Sequence, residues 1–382
     1  PLDMRLQDYI GNRIADERAA SVVVMDVHTG DVLALVSIPS FDPNAFSEGL
    51  TSKEWQDLVN NPYKPLANKA IAGQYAPGST FKVAVAYAAL ANGISPDHRV
   101  FCPGHMDLGN HRFHWWKRWG HGWMDLVGAM RESCDVWFYE VAHKIGIDKI
   151  AEMSHKLGLG QPTGIDLQGE RKGLIPDKAW KMRAIGERWQ GGETLIAGIG
   201  QGYVLTTPVQ LAVMAARSVN GGKAVVPRLT RQVFEGDEFL GVQPHPEYED
   251  LGIPEAHQKV VRAAMDEVVN SRKGTARASS IDTPGWEMGG KTGTSQVRRI
   301  SMAERQAGIR KGEDIAWRLR DHAVFVGFAP VDEPKYAVSV VVEHGGGGSH
   351  TAAPIAKDVL TEVQRLMSES VQAPIDPEQE AG

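Results

Sequence analysis

Cysteine is nearly missing from this chain of 382 residues: only Cys102 and Cys134 occur, which excludes a disulfide-built scaffold. Long apolar runs are missing too. None approaches the ~18 to 20 residues that a membrane-spanning helix requires, and no charged-then-apolar leader precedes the first element, the chain opening Pro1-Leu2-Asp3 without an initiator Met. Positive charge is not in excess. The formal net charge is −6, with 41 Lys and Arg against 47 Asp and Glu, so nothing electrostatic points to nucleic acid as a partner. No internal repeat is visible. The glycine run Gly345 to Gly348 is not followed by Gly-Lys-Ser/Thr, so it reads as a flexible strand end and not as a phosphate cradle. What remains is an ordinary globular composition, 42% hydrophobic and 23% charged, long enough for one large domain or a main domain with insertions.

Hydrophobic periodicity organises the chain. Leu6, Tyr9, Ile10 and Ile14 recur at near-helical spacing and predict an amphipathic helix over residues 3 to 18. The β-branched runs Ser21 to Val27 and Val32 to Ser37, joined by His28-Thr29-Gly30-Asp31, predict a hairpin. Four prolines between Pro39 and Pro65 predict a loop. An apolar helix is expected over Phe81 to Leu90, helical patterning over Asp125 to Ile145, and a capped helix start at Thr207-Pro208-Val209-Gln210. Met288 to Val297, His322 to Phe328 and Tyr336 to Glu343 read as strands, and Thr351 to Met367 as a helix. Helices in the middle with strands at both ends predict an α/β fold whose sheet is built from both termini.

Three short motifs carry chemistry. Ser79-Thr80-Phe81-Lys82 places a hydroxyl and an amine three residues apart at a predicted helix start, hence on one face. The helix N-terminus offers free N–H groups to a developing oxyanion, and a buried Lys82 with a lowered pKa can activate Ser79. Alone the pattern is weak, since about one Ser-x-x-Lys arises by chance in a chain this long. Ser133-Cys134-Asp135 and then Lys291-Thr292-Gly293-Thr294 follow in order. Lys-Thr-Gly is expected only about 0.1 times by chance. Its chemistry is coherent, with glycine admitting close backbone approach at a strand and Lys and Thr able to hold a carboxylate.

The ordered set resembles the Ser-x-x-Lys, Ser-x-Asn, Lys-Thr-Gly signature of penicillin-binding proteins and class A β-lactamases. Further segments are similar to the elongation-type class B branch, penicillin-binding protein 2. They are Pro39-Ser40-Phe41-Asp42-Pro43-Asn44, Tyr75 to Lys82, Trp116-Lys117-Arg118-Trp119-Gly120-His121-Gly122, Gly198-Ile199-Gly200-Gln201-Gly202 and Gly274-Thr275-Ala276. The likeness spans roughly residues 20 to 365. It implies a transpeptidase fold, a mainly antiparallel central sheet flanked by helices with an all-α subregion. Residues 1–20 would then be a remnant of an upstream region, 21–367 the transpeptidase domain and 368–382 a disordered polar tail.

The resemblance also implies a D,D-transpeptidase that cross-links peptidoglycan stem peptides and is the target of β-lactams. Ser79 would attack the D-Ala-D-Ala amide and Lys82 would be the base, while Ser133 would relay a proton to the leaving amine. Lys291, Thr292, Gly293 and Thr294 would bind the terminal carboxylate, and the N–H groups of Ser79 and Thr294 would form the oxyanion hole. It implies a RodA-type glycosyltransferase and MreC as partners. It further implies an upstream membrane helix with the catalytic part in the periplasm, the present stretch being soluble by itself. Asp135 departs from the usual Asn. A carboxylate cannot donate to a substrate carbonyl and would favour a charged Lys82. The rival readings are a β-lactamase-like hydrolase, against which no Glu-x-x-Leu-Asn is found, and a non-catalytic penicillin-sensing scaffold, against which the catalytic residues are intact.

Residues 101 to 124 crowd four histidines and four tryptophans beside Cys102. Cys and His are zinc ligands. The resemblance implies a metal, as in some relatives, at positions matching Cys102, Trp115, His121 and Cys134; Trp115 cannot ligate, so the expected structural zinc set is Cys102, His121 and Cys134 with His114 substituting. The alternatives are a disulfide or two buried thiols. The tryptophans 115, 116, 119 and 123 read as packing anchors.

Overall fold

The computed structural model describes residues 1–114, 117, 119–230, 232–235, 238–242, 247–298 and 314–372. Its elements in chain order begin with α1 (Met4–Arg13), β1 (Ala20–Asp26), β2 (Val32–Ile38), α2 (Pro43–Glu48), α3 (Ser52–Asn60), α4 (Lys69–Ala72) and α5 (Lys82–Ala91). Two small hairpin-like pairs follow, from β3 (Val100–Cys102), β4 (His105–Leu108), β5 (His111–His114) and β6 (Gly122–Met124). Then come α6 (Leu126–Arg131), α7 (Asp135–Ile145), α8 (Ile147–Lys156), α9 (Lys178–Ala184), α10 (Gly191–Gly198) and α11 (Pro208–Val219). The chain continues with β7 (Gln232–Glu235), β8 (Glu238–Val242), α12 (Glu255–Asn270), β9 (Gly289–Ser295), β10 (His322–Ala329), β11 (Tyr336–Val342) and α13 (Ala352–Gln372).

The main sheet runs β2-β1-β11-β10-β9, antiparallel throughout, so strands from both ends of the sequence meet in its middle. Successive side chains of a strand point to opposite faces, and here both faces are buried. Val23 and Met25 of β1 with Val324, Val326 and Phe328 of β10 face the helical half of the molecule, where α11 lies across the strands. Val22 and Val24 with Phe325, Val338 and Val340 face the other way, onto Leu6 and Ile10 of α1 and Ile355, Val359 and Leu360 of α13. A register slip of one residue would swap these two sets, which fixes the pairing. α11 starts as its sequence predicts: Thr207 and Gln210 cap each other reciprocally and Pro208 takes the first position.

Four expectations need correction. The stretch 39–65 is not all loop. Asp42 caps α2, and Thr51 with Glu54 forms a capping box on α3, so local side-chain capping overrides the proline signal. The helical patterning of 125–145 is split into α6 and α7. α1 stops at Arg13. α13 runs past Met367 to Gln372, and the remainder of the expected tail lies outside the described residues. Leu6, Ile10 and Ile14 of the N-terminal stretch share a core with the sheet.

Candidate active site

Gly78 opens a 3₁₀ turn, Gly78–Phe81, that runs directly into α5. Its φ of +55° suits glycine, and a Cβ there would sit 2.4 Å from the carbonyl oxygen of Thr294. The turn is thereby pressed against β9, with half-buried Ser79 beside that strand and Lys82 at the first position of α5. Gly293 answers from the other side. A Cβ on it would meet Pro77 O at 2.8 Å and the Thr80 methyl at 2.9 Å. The glycine of Lys-Thr-Gly thus admits the nucleophile turn; the sequence reading had it admitting substrate backbone.

Ser133 fills the gap between α6 and α7. It is one of few non-glycine residues with positive φ, +56°, a conformation that costs of order 1 kcal/mol or more and is held by its surroundings. The Cys134 N–H reaches back to Ala129 O at 2.8 Å, closing α6, and Asp135 begins α7. This kink turns three consecutive side chains to three tasks. The Ser133 hydroxyl meets two ammonium groups, Lys82 Nζ at 3.2 Å and Lys291 Nζ at 2.9 Å. Asp135 pairs with Lys82 at 2.5 Å, and Lys82 also donates to Ser133 O at 2.9 Å. Cys134 points to the thiol and histidine cluster.

Both lysines are fully buried. Burial pushes the Lys291 ammonium well below its ordinary value, and the nearby Lys82 charge pushes the same way while Asp135 opposes. Burial raises Asp135, against the pull of Lys82. The Lys82 ammonium also lies 5.2 Å from the centroid of the Phe138 ring, a cation–π contact in a desolvated place.

On β9, Lys291 is fixed by a second bond to Thr292 O, and the Thr292 hydroxyl meets Thr275 Oγ1 at 2.8 Å. Thr294 is the pivotal backbone position. Its carbonyl accepts from Gln201 Nε2 at 2.9 Å, so it points away from β10 and out over the strand edge. In an antiparallel strand the N–H and C=O of one residue point to the same side, so the Thr294 N–H also faces outward, beside the Ser79 turn. That is where an oxyanion donor is needed. Gln201, Thr275 and Phe138 carried no role in the sequence reading. Nothing in their local pattern marks a contact with β9 or with Lys82.

The cysteines are free thiols, not a disulfide. Cys102 Sγ, Cys134 Sγ and a His121 ring nitrogen lie within 4.8 Å of one another, with Cys102 Sγ 3.7 Å from His121 Nδ1. The Cys102 thiol is held down to about 4, chiefly by the Cys134 thiol and further by His121, whereas that same contact and burial push Cys134 up. Behind His121, Nε2 lies 4.0 Å from a Glu132 carboxylate oxygen. His114 ends β5, and its side chain lies outside the described residues, as do Trp115 and Trp116. Trp119 and Trp123 are not packing anchors; they are 92% and 63% exposed, Trp123 on the outer face of β6 and Trp119 in the turn before that strand.

This geometry agrees with what known proteins show. The family described as penicillin binding protein transpeptidase domain matches residues 20–361. The chain belongs to that family. Among curated relatives, the peptidoglycan D,D-transpeptidase MrdA of Escherichia coli K12 is 40% identical over 352 residues, covering 91% of this chain and 54% of that protein. The protein of the same name from Acinetobacter baumannii is 40% identical over 363 residues, covering 94% and 52%. The chain thus spans about half the length of the curated relatives it matches. Among solved structures, Pseudomonas aeruginosa PBP2 in complex with WCK 5153 superposes with a TM-score of 0.81 at 40% identity, covering 94% of this chain and 74% of that one. The Helicobacter pylori complex of PBP2 with MreC gives 0.83 at 32% identity, covering 96% and 63%. The penicillin-binding transpeptidase fold, expected from three motifs, is the fold found here.

Proposed function

We propose that this chain is the catalytic part of an elongation-type class B penicillin-binding protein, a serine D,D-transpeptidase that cross-links peptidoglycan stem peptides. The convergence of Lys82 and Lys291 on the Ser133 hydroxyl, beside the Ser79 turn, carries the reading. Ser79 Oγ attacks the carbonyl carbon of the penultimate D-alanine and gives its proton to Lys82 Nζ, which acts as base in its neutral amine form. Asp135 holds that nitrogen in place and balances the ammonium that forms. The tetrahedral oxyanion is met by the N–H groups of Ser79 and Thr294, each worth ~3 to 4 kcal/mol by analogy with other acyl-transfer enzymes. The C–N bond then breaks. Ser133, whose oxygen accepts from both lysines, has its own proton to hand to the departing D-alanine amine and regains one from Lys82. An amine from a neighbouring stem peptide attacks the acyl-serine by the reverse path, and Ser79 recovers its proton.

The positive site also suits the terminal carboxylate. Lys291 is too deeply bonded to reach it directly among these contacts, so it supplies field while the Thr292 and Thr294 side chains supply the rim. A solved complex of the Helicobacter pylori relative with MreC supports MreC as a partner; with it we propose a RodA-type glycosyltransferase, and anchoring in the bacterial inner membrane with the catalytic part in the periplasm. Among the described residues no helix is long and apolar enough to cross a membrane.

Intact-mass spectrometry after incubation with benzylpenicillin tests the chemistry. One lasting penicillin adduct, mapped to Ser79 and lost in Ser79→Ala, is expected. Rapid turnover without an adduct would instead make the protein a β-lactamase, and neither result would leave a non-catalytic scaffold.

A structural zinc fits beside this site. Two thiols, one of them readily ionised, and an imidazole nitrogen converge in a buried place, and Glu132 behind His121 suits the outer carboxylate that orients a ligating histidine. Cys102, His121 and Cys134 would hold the metal, with His114 the candidate for the fourth position, and bonding Cys134 would brace the strained turn at Ser133. Metal analysis of tag-free protein is expected to find about one zinc per chain; a content near zero after gentle purification would remove the metal from this account.

A further inference from the structure

The loop after α10 grips both halves of the oxyanion site at once. Gly200 O accepts the Gly78 N–H at 2.9 Å, one residue before the nucleophile. Gly200 has φ +72°, and a Cβ there would lie 2.2 Å from Gly78 O and 2.7 Å from the Phe81 Cβ, so the loop and the turn are in backbone contact. The next residue, Gln201, sends its side-chain amide to Thr294 O at 2.9 Å. The loop therefore touches the Ser79 turn through its backbone and the β9 edge through a single side chain. Among the described residues no other side-chain hydrogen bond joins this loop to the β9 edge.

We infer that Gln201 is a positioning residue for acyl transfer: its amide fixes the outward-facing Thr294 backbone so that the Thr294 and Ser79 N–H groups converge on one oxygen. The inference rests on the acyl-serine reading above. An oxyanion donor works only if it is held where charge will develop, before it develops. Among the described residues Thr294 lies at a sheet edge, where no further strand sets its orientation. Gln201 replaces that missing neighbour at one carbonyl. It does not touch the reacting atoms.

Removing the amide should therefore slow the chemical step and leave ground-state binding alone. Stopped-flow acylation of Gln201→Met by a chromogenic cephalosporin is expected to show the acylation rate constant reduced about tenfold or more, the value of one lost hydrogen bond of ~1.4 kcal/mol. The dissociation constant of the preceding non-covalent complex should stay within about twofold of the native value. A boronic acid that mimics the tetrahedral oxyanion should lose affinity by the same factor as the rate, a signature that general loosening would not produce. Gln201→Glu, which keeps shape but presents a carboxylate oxygen that cannot donate to Thr294 O, should behave the same way and serves if Gln201→Met does not fold. Unchanged rate and boronate affinity in the variants would overturn the inference, as would an equal fall in non-covalent binding, rate and melting temperature. Failure of the native chain itself to acylate would reject the transpeptidase reading, a distinct result.

Discussion

The two edges of the main sheet are both finished by a glutamine, and they are finished differently. At β2, Gln7 from α1 places its amide against Leu35 in two bonds, donating to Leu35 O and accepting from Leu35 N–H, each at 2.9 Å. Asp3 N–H adds a bond to Leu33 O. Three outward groups of that strand, Leu33 O and both of Leu35, are satisfied as another strand would satisfy them, which is one way proteins cover a sheet edge. A cavity of about 820 Å³ lies beside it, lined by Gln7, Leu35, Ser37, Phe41 and Asn68 among others, far across the sheet from Ser79. At β9, Gln201 takes one carbonyl of Thr294, and the N–H of the same residue is left facing the nucleophile turn. One edge is sealed for stability. The other is held by one point and keeps a donor for chemistry. The large hollow lies on the sealed side and the tight, charged seam on the other, so on the proposed function catalysis follows convergence of polar groups, not cavity size.

This contrast can be broken at several levels. The largest effect belongs to the working side: Lys82→Met should reduce the acylation rate about 10³-fold, within the range of a lost general base, measured by stopped-flow with a chromogenic cephalosporin. It also strips Asp135 of its buried partner, so a stability loss of about 3 kcal/mol is expected in denaturant unfolding. Gln7→Leu on the sealed side should do the opposite. Two backbone groups of Leu35 lose their partner, costing about 1 to 3 kcal/mol, while the acylation rate stays within about twofold of native; a comparable fall in rate would mean the edges are not independent.

The smallest effect separates the edges by pH. His322, next to β9, is held down to about 4 by burial, with His344 adding to it, and accepts the His344 N–H at Nδ1. The unfolded chain binds a proton at His322 near its ordinary value of 6.5 and the folded one does not until about 4, so stability falls as pH drops through that window. About 2 kcal/mol should be lost between pH 7 and pH 5, and His322→Asn should flatten that slope. Asp3 at the β2 edge is held below its ordinary value by Arg5, so its contribution is present above 3.8 and is lost only as pH falls through the lower, folded-state value. Unfolding midpoints at pH 7, 5 and 3 separate the two.

Much of the working side was legible in the sequence because its residues are packed into short words. Ser79 and Lys82 share a turn, Ser133 and Asp135 flank one cysteine, and Lys291 to Thr294 are consecutive, so three motifs bring most of the catalytic groups. The hairpin at 20–38, the late strands and the cap at Thr207 were also readable, from alternation and side-chain chemistry. What was not legible is what long-range contact decides. The break at Ser133 interrupts an otherwise helical pattern because Lys82 and Lys291, distant in sequence, hold its hydroxyl. Gly293 serves the nucleophile turn, a neighbour 200-odd positions away in the chain, and no local spacing reveals that. Gln7 looks like any surface amide until the fold is known, and Gln201, though it lies in a segment that resembles the family, shows no contact with β9 in its local pattern. The segment 101–124 illustrates the reverse: its composition suggests ligands, while of the histidines whose side chains are described only His121 joins Cys102 and Cys134.

The middle of the sheet is made by β11, which pairs with β1 on one side and β10 on the other, matching Val342 to Ala20. Those partners are separated by about 320 residues, so the loop that must close before they meet is nearly the whole chain. During synthesis β1 and β2 therefore emerge as an apolar hairpin and wait, without their central neighbour, until about 300 further residues have been made. A ribosome stalled before Tyr336 would hold a chain with every catalytic residue already made and no sheet to mount them on. Production of this protein should thus depend on holdase chaperones that shield the early hairpin, and truncation at the C-terminal end should cost solubility before it costs any catalytic group.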